Sequence, residues 1–212
     1  MSHIRGYHLT DQQVQNVEDL IVKTSFAGQV PDHIYSQVNK WMNEAPLAHR
    51  SAYENVAHQI LSAWENPQND ALRILNASIT SLPPIPPHLK HLDLSFCGRL
   101  HAPPNLTDCK KLEEVNFTHC DQLSALPDLK HCKELKQLTF KGCTKLSNVD
   151  ALAECLSARV VNLWGCIQVT SLPDLSKCVN LERLNLVHVP LTGLRENFFA
   201  LSRECHVNLN AS

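Results

Sequence analysis

The sequence predicts an α/β solenoid, in which short parallel strands are stacked behind an N-terminal α-helical unit. The first observation is a column of apolar residues with a fixed step of 23 positions: Leu92, Val115, Leu138, Val161, Leu184 and Val207. The second is that two columns of cysteine keep the same step, and the third is that residues 1–70 lack this period and have helical apolar spacing. A fixed period over six copies is typical of repeat proteins, in which each unit packs on the next.

Composition excludes several classes of function. The 212 residues are 43% hydrophobic and 19% charged, which is typical of a folded chain, and the formal charge of −2 gives no basic footprint for nucleic acid or an anionic membrane. No apolar run approaches the roughly 18 residues of a membrane span. The six glycines form neither a dinucleotide-binding nor a P-loop spacing. We therefore expect no nucleic acid, no membrane span and no nucleotide enzyme.

Residues 1–70 are predicted to form three helices. Thr10 and Asp11 can cap the first, and Pro31 and Pro46 can open the second and third. The apolar stripes are Val14, Val17 and Ile21, then Ile34, Val38 and Trp41, then Tyr53, Ala57, Ile60 and Trp64. These aromatic side chains could line a partner-binding groove, but we predict that they pack in a core. We expect residues 1–70 to cover the open end of a repeat domain spanning residues 71–212.

The repeat unit reads LxxLxLxxCxxLxxLPDLxxCxx and is best seen at residues 112–134. Leu92 and Leu94 would point inward from a short strand, and the LPDL stretch would turn the chain and return apolar residues to the same core. This is the pattern of a leucine-rich repeat. A shorter, proline-rich copy over residues 72–88 is predicted to return in an extended conformation.

Nine cysteines raise three interpretations: metal ligands, disulfides or buried thiols. The columns are Cys97, Cys120, Cys143 and Cys166, and Cys109, Cys132, Cys155 and Cys178. Each column places one cysteine per coil in a straight row, and without a CxxC pair such rows do not form a tetrahedral metal site. Side chains that project in parallel from adjacent coils hold their Cβ atoms too far apart for unstrained disulfides. We predict buried, reduced thiols in a protein that works in a cytosol. Cys205 lies outside both columns and is predicted to be the most exposed thiol.

The sequence indicates no catalytic site. Twelve histidines are present, but no spacing fixes a nucleophile, a base and an orienting group. His91, His119, His188 and His206 fall on or beside the strands and are interpreted as polar surface. We expect no catalytic residue, no metal and no cofactor.

Both ends of the chain resemble a known family. The resemblance rests on residues 41–46, Arg50, Trp64, 72–74 and 81–89 near the start, and on residues 191–197 and 206–210 near the end. These segments resemble the LPX-type leucine-rich-repeat effectors of pathogenic and symbiotic bacteria. The final segments resemble the last repeat before the catalytic domain of the secreted ubiquitin-protein ligases of the invasion-plasmid-antigen-H type.

This resemblance implies a virulence protein delivered by type III secretion into the host cell cytoplasm, where its repeat domain selects a host protein for ubiquitin transfer. In that family a separate helical domain carries the catalytic cysteine in a Cys-x-Asp motif, and the repeat domain restrains it. No such motif is present here. We therefore expect a catalytic domain beyond Ser212, as a possible second partner of the repeats. The alternative is a stand-alone scaffold that binds host proteins without chemistry.

The repeats themselves differ from that family, whose units are commonly about 20 residues long with Asn at the turn. The SLPDLxxCxxLExLxL pattern also resembles repeats of plant intracellular immune receptors. A fragment of such a receptor is a third interpretation, which the N-terminal segments disfavour.

The partner-binding surface is predicted on the outward positions of the strands, which line the concave side of such a stack. The predicted contacts are His91, Asp93, Ser95, Phe96, Glu114, Asn116, Thr118, Gln137, Thr139, Lys141, Asn162, Trp164, Arg183, Asn185 and Val187. Trp164 is the predicted centre, because an outward aromatic near cations has the composition of a binding hot spot. Phe96 could be a second contact or could pack at the edge of its coil. The Asn-rich positions could instead bond to one another across the stack.

Overall fold

The computed structural model describes residues 30–192 and 205–209. The helix predicted near Thr10 and most of the C-terminal segment at residues 191–197 lie outside the described residues, as does Asn210. The described chain forms two α-helices, joined by a short 3-10 helix and followed by a single parallel sheet whose seven strands are ordered as in the sequence. The strands are β1 (Ala71–Arg73), β2 (His91–Asp93), β3 (Glu114–Asn116), β4 (Gln137–Thr139), β5 (Val160–Asn162), β6 (Arg183–Asn185) and β7 (His206–Asn208).

The strand register confirms the predicted repeat. Leu72 pairs with Leu92, Leu92 with Val115, and the same column continues strand by strand to Val207. The short first coil joins the same register, and no helix forms between β1 and β2. The fold is therefore a leucine-rich-repeat solenoid with an N-terminal helical part.

One continuous core runs through the stack. Each of the strands β1 to β6 buries its central side chain, and the apolar residue two positions further on, such as Leu94 or Phe117, is also buried, whereas in β7 Val207 is only partly buried and Leu209 is exposed. Phe117 and Phe140 stack with their ring centroids 5.3 Å apart, so successive coils are in direct contact inside the solenoid. The core extends from Ile34 in the helical part to Val189 after β6. The two parts of the chain thus share a single apolar interior.

The LPDL turns are fixed by side-chain oxygens. A carboxylate oxygen of Asp128 accepts the Lys130 backbone N–H at 2.9 Å, and Asp174 accepts that of Ser176 at the same distance. In the coil between them the corresponding sequence is VDAL, which lacks the proline. That stretch forms a 3-10 helix at Asp150–Glu154, which the sequence analysis did not predict.

The helical part consists of α1 (Asp32–Asn43), a 3-10 helix (Leu47–His49) and α2 (Arg50–Glu65). Pro31 and Pro46 immediately precede the first two of these elements. The two predicted stripes that lie on these helices are buried, apart from Trp64, which is partly buried against the core. The rings of Trp41 and Tyr53 stack at 4.4 Å, and Trp41 is only 8% exposed. The interpretation of these aromatics as core is confirmed.

Three polar contacts attach the helices to the first coil. The Tyr53 hydroxyl lies 2.8 Å from Thr80 Oγ1, Trp41 Nε1 donates to Ser81 Oγ at 3.1 Å, and Trp64 Nε1 donates to the carbonyl of Pro84 at 3.3 Å. The helices therefore cover the open end of the stack, where unpaired apolar surface would otherwise meet water.

Of the helices described, none is long and apolar enough to cross a membrane.

Candidate functional site

The outward side chains of the strands and of the two residues that follow each strand form one surface, called here the strand face. The structure brings every predicted contact residue together on this face or along its edge. Gln137, Lys141 and Arg183 are exposed, whereas most of the others are partly buried by their neighbours. Ser95 differs from them because it is only 5% exposed and its hydroxyl donates to Asp93.

The Asn-rich row on this face holds the backbone at the strand ends. Asn116, Asn162 and Asn185 each use Oδ1 to accept the backbone N–H two residues further along, at 3.0, 3.0 and 3.2 Å. Asp93 accepts the Ser95 N–H in the same way at 3.0 Å. Among the described members of the row no amide bonds to another amide, so that expectation was wrong. The side chains instead fix the local turn, as Asx turns do.

A left-handed backbone position follows each of the strands β1 to β6 at the edge of the face. It is occupied by Asn76, Phe96, His119, Gly142, Gly165 and His188, whose φ angles lie between 54° and 72°. Glycine adopts this conformation freely, whereas a bulky side chain adopts it at a cost of roughly 1–2 kcal/mol. Phe96 is therefore unusual, because its φ is 63° and its side chain is 55% exposed.

Phe96 begins a short aromatic stack along this edge. Its ring stacks on that of His119 with 5.3 Å between the centroids. The His119 ring in turn lies over Gly142, where an added Cβ would come within 2.6 Å of it. The glycine thus leaves the space that lets the histidine ring lie flat. Phe96 therefore packs at the edge of its coil, which was one of the two predicted alternatives, and it remains exposed, as the other alternative, a partner contact, requires.

Trp164, two residues after β5, is the centre of a second aromatic cluster. Its backbone N–H is held by Asn162, and the Lys141 ammonium lies 4.9 Å from the centroid of its ring. The His188 ring meets it edge-on at 5.4 Å. A partly exposed indole that is fixed on two sides and covered by a cation is a preorganised contact, since its conformation is already restricted before binding.

A shallow depression of about 240 Å³ lies on the N-terminal half of the strand face. Asp93, Glu114, Asn116, Gln137 and Thr139 line it together with Arg73 and His91. Its carboxylates are engaged by neighbours, because Gln137 Nε2 donates to Glu114 at 2.7 Å and His91 Nδ1 lies 3.2 Å from the same carboxylate. This depression collects six of the predicted contact residues in one place.

Charged pairs flank the face on the side where each strand begins. Lys136 Nζ lies 2.6 Å from Glu113, and Arg159 lies 3.4 Å from Glu182. The hydrogen bond from Lys136 holds the pKa of Glu113 below its ordinary value. Each pair links two successive coils, and its two charges neutralise each other.

The two cysteine columns are buried inside the stack, as predicted, and all nine cysteines are free thiols. In the first column the thiols of Cys120, Cys143 and Cys166 donate to carbonyls of the preceding coil at 3.0–3.2 Å. Burial raises the pKa of Cys143 and Cys166 to about 12. Cys205 is only half-buried, and burial raises its pKa as well.

Within residues 30–192 and 205–209 no three His, Cys, Asp or Glu side chains are grouped as metal ligands would be. His91, His119, His188 and His206 all lie on the strand face or its edge, as predicted. The signal that sequence reasoning missed is the left-handed row, which Gly142 and Gly165 mark by their 23-residue spacing.

The solved structures that this chain resembles include a bacterial effector domain and an internalin. No protein-family model matches the chain, and no curated protein sequence matches it. The leucine-rich-repeat domain of the type III effector XopL is 14% identical, with 98% of each chain covered and a TM-score of 0.32. An internalin from Listeria monocytogenes is 15% identical over 82% of this chain and 70% of the other, with a TM-score of 0.28. The fold assignment rests on the register of the seven strands and not on these likenesses.

Proposed function

We propose that this chain is a protein-recognition domain that binds a partner protein through the strand face. The observation that carries the proposal is the partly exposed outward indole of Trp164, which Lys141 and His188 contact while Asn162 holds the Trp164 backbone. Tryptophan dominates many protein interfaces because it buries a large apolar area at low entropic cost. The stacked coils provide a rigid, extended support for such a contact.

The test is a selection of binding fragments from a displayed library of eukaryotic proteins, followed by calorimetry on the purified chain. We expect Trp164→Ala to weaken a selected fragment by about 1–2 kcal/mol, with unchanged thermal unfolding. The matched control is Val179→Ala, which removes an apolar side chain that is 68% exposed and outside the strand face. Loss of binding in the Val179 variant and retention in the Trp164 variant would place recognition on another surface.

We infer further that the partner is a host protein, and that the chain is the substrate-selecting domain of a secreted bacterial ubiquitin ligase. The support is the resemblance of residues 41–89 and 191–210 to that family of effectors. The catalytic cysteine would belong to a separate domain, which the strand face would also contact. The stand-alone scaffold differs from this proposal in having no such domain.

The intact mass of the protein from its natural source separates these two functions. A mass far above 23.8 kDa, together with ubiquitin transfer to the selected fragment, supports the ligase. The control is a variant that lacks the Cys-x-Asp cysteine of the additional domain. A mass of 23.8 kDa contradicts the ligase proposal and leaves recognition as the whole activity.

A further inference from the structure

The charges on the strand face are divided between its two halves. Its carboxylates, Asp93 and Glu114, lie on β2 and β3. From β4 onward the described outward positions hold no carboxylate, and they carry the cations Lys141 and Arg183. The half of the face around Trp164 is therefore positively charged.

The two cations also differ from their neighbours in how they are neutralised. Lys136 and Arg159, at the flank, are paired with glutamates of adjacent coils. Among the described residues neither Lys141 nor Arg183 forms an ion pair, and the Lys141 ammonium instead lies over the Trp164 ring. Positive charge is thus left available on the one surface that a partner would contact.

The strand between these cations, β5, carries two apolar outward side chains, Val160 beside Arg183 and Trp164 beside Lys141, with Asn162 between them. Val187, after β6, extends the apolar surface next to Trp164. With strands about 4.8 Å apart and a rise of about 3.3 Å per residue, Lys141 and Arg183 lie roughly 16 Å apart on opposite sides of β5. That distance corresponds to about five residues of an extended peptide.

Building on the proposed function, we propose that the recognised segment is acidic with an apolar anchor. Its carboxylates bind Lys141 and Arg183, and an aromatic or aliphatic side chain between them packs on Val160 and Trp164. A basic segment would meet two unpaired cations here, and like charges across an interface disfavour binding. The N-terminal half does not offer an equivalent site for a basic segment, because Asp93 and Glu114 are already hydrogen-bonded and Arg73 lines the same depression.

The experiment is a selection of random peptides of about a dozen residues against the purified chain, followed by anisotropy measurements on synthetic copies. We expect the selected peptides to be enriched in Asp and Glu around an apolar residue. Lys141→Glu and Arg183→Glu should each weaken binding by about tenfold, and added salt should weaken the wild-type complex. The matched control is Lys110→Glu, an exposed cation between β2 and β3 that lies outside the strand face, which should leave the affinity within about twofold.

The outcomes separate this inference from the proposed function. Neutral or basic peptides that still require Trp164 overturn the acidic partner and leave protein recognition on this face intact. Peptides that bind the Trp164→Ala variant as well as the wild type overturn both. A selection that enriches no peptide also overturns the inference. So do acidic peptides that bind the Lys141→Glu and Arg183→Glu variants with the affinity they have for the wild type. A selected peptide whose carboxylates are replaced by lysines should recover affinity for the Arg183→Glu variant.

Discussion

At the scale of single residues, Phe96 shows most clearly where this sequence departs from what its backbone prefers. Two coils place glycine at the equivalent left-handed position, whereas this coil places a large aromatic there and leaves it 55% exposed. A strained, exposed residue is a reason to suspect a binding role, because packing alone does not account for it. The stack on His119 offsets part of the strain without burying the ring.

We expect Phe96→Gly to leave the free energy of unfolding within about 1 kcal/mol of wild type, because the relieved strain offsets the lost stacking. The same variant should bind the selected fragment more weakly. Urea unfolding and calorimetry measure the two effects. The control is Phe117→Ala in the core, which should cost about 3–5 kcal/mol. A large loss of stability in Phe96→Gly, with unchanged binding, would show that Phe96 is structural.

At the scale of elements, the strands and helices follow from patterns that can be read directly from the sequence. Leu92 and Leu94 alternate inward, and the 23-residue step sets the register of every later strand. The 3-10 helix at Asp150–Glu154 and the turn-fixing bonds of Asn116, Asn162 and Asn185 were not predicted. The 3-10 helix depends on a proline that is missing from one repeat, and the hydrogen bonds depend on the direction of the asparagine side chains. A repeat pattern specifies neither.

The helical cap gives a prediction at the same scale. The Tyr53 hydroxyl bonds to Thr80 Oγ1 at 2.8 Å and accepts the Thr80 backbone N–H at 3.2 Å. Tyr53→Phe should therefore lower the free energy of unfolding by about 1–2 kcal/mol, because the Thr80 N–H loses its partner. Urea unfolding measures this change. Ser51→Ala, an exposed position on the same helix, should stay within about 0.5 kcal/mol. Equal stability of Tyr53→Phe and wild type would show that this contact does not attach the cap.

At the scale of the whole molecule, the stack is held by columns that run through every coil. The Val115 column fills the core, and the thiols of Cys120, Cys143 and Cys166 join one coil to the carbonyls of the previous one. The sequence predicted that these cysteines are buried but not that they donate hydrogen bonds. The positions of the predicted contact residues on one face followed from the period alone. Which of them bind a partner depends on a second molecule, so that part stays a prediction.

The buried thiols predict how stability depends on pH. An unfolded cysteine ionises near its ordinary value of 9.0, whereas burial raises the pKa of Cys143 to about 12. Between these values the thiolate forms only in the unfolded chain. The free energy of unfolding should therefore fall as pH rises above about 9, by up to about 1.4 kcal/mol per pH unit for each thiol. Urea unfolding at several pH values measures the slope. Cys143→Ser should reduce this slope by the contribution of one thiol, and an unchanged slope in that variant would contradict this explanation.

Carbene footprinting of the complex shows whether the strand face around Trp164 binds the partner. The expectation for binding at this face is that a bound fragment reduces labelling at Lys141, Trp164 and Arg183, while the exposed Leu156 and Val179 are labelled as in the free protein. Protection of Leu156 and Val179 with full labelling of the strand face would contradict it.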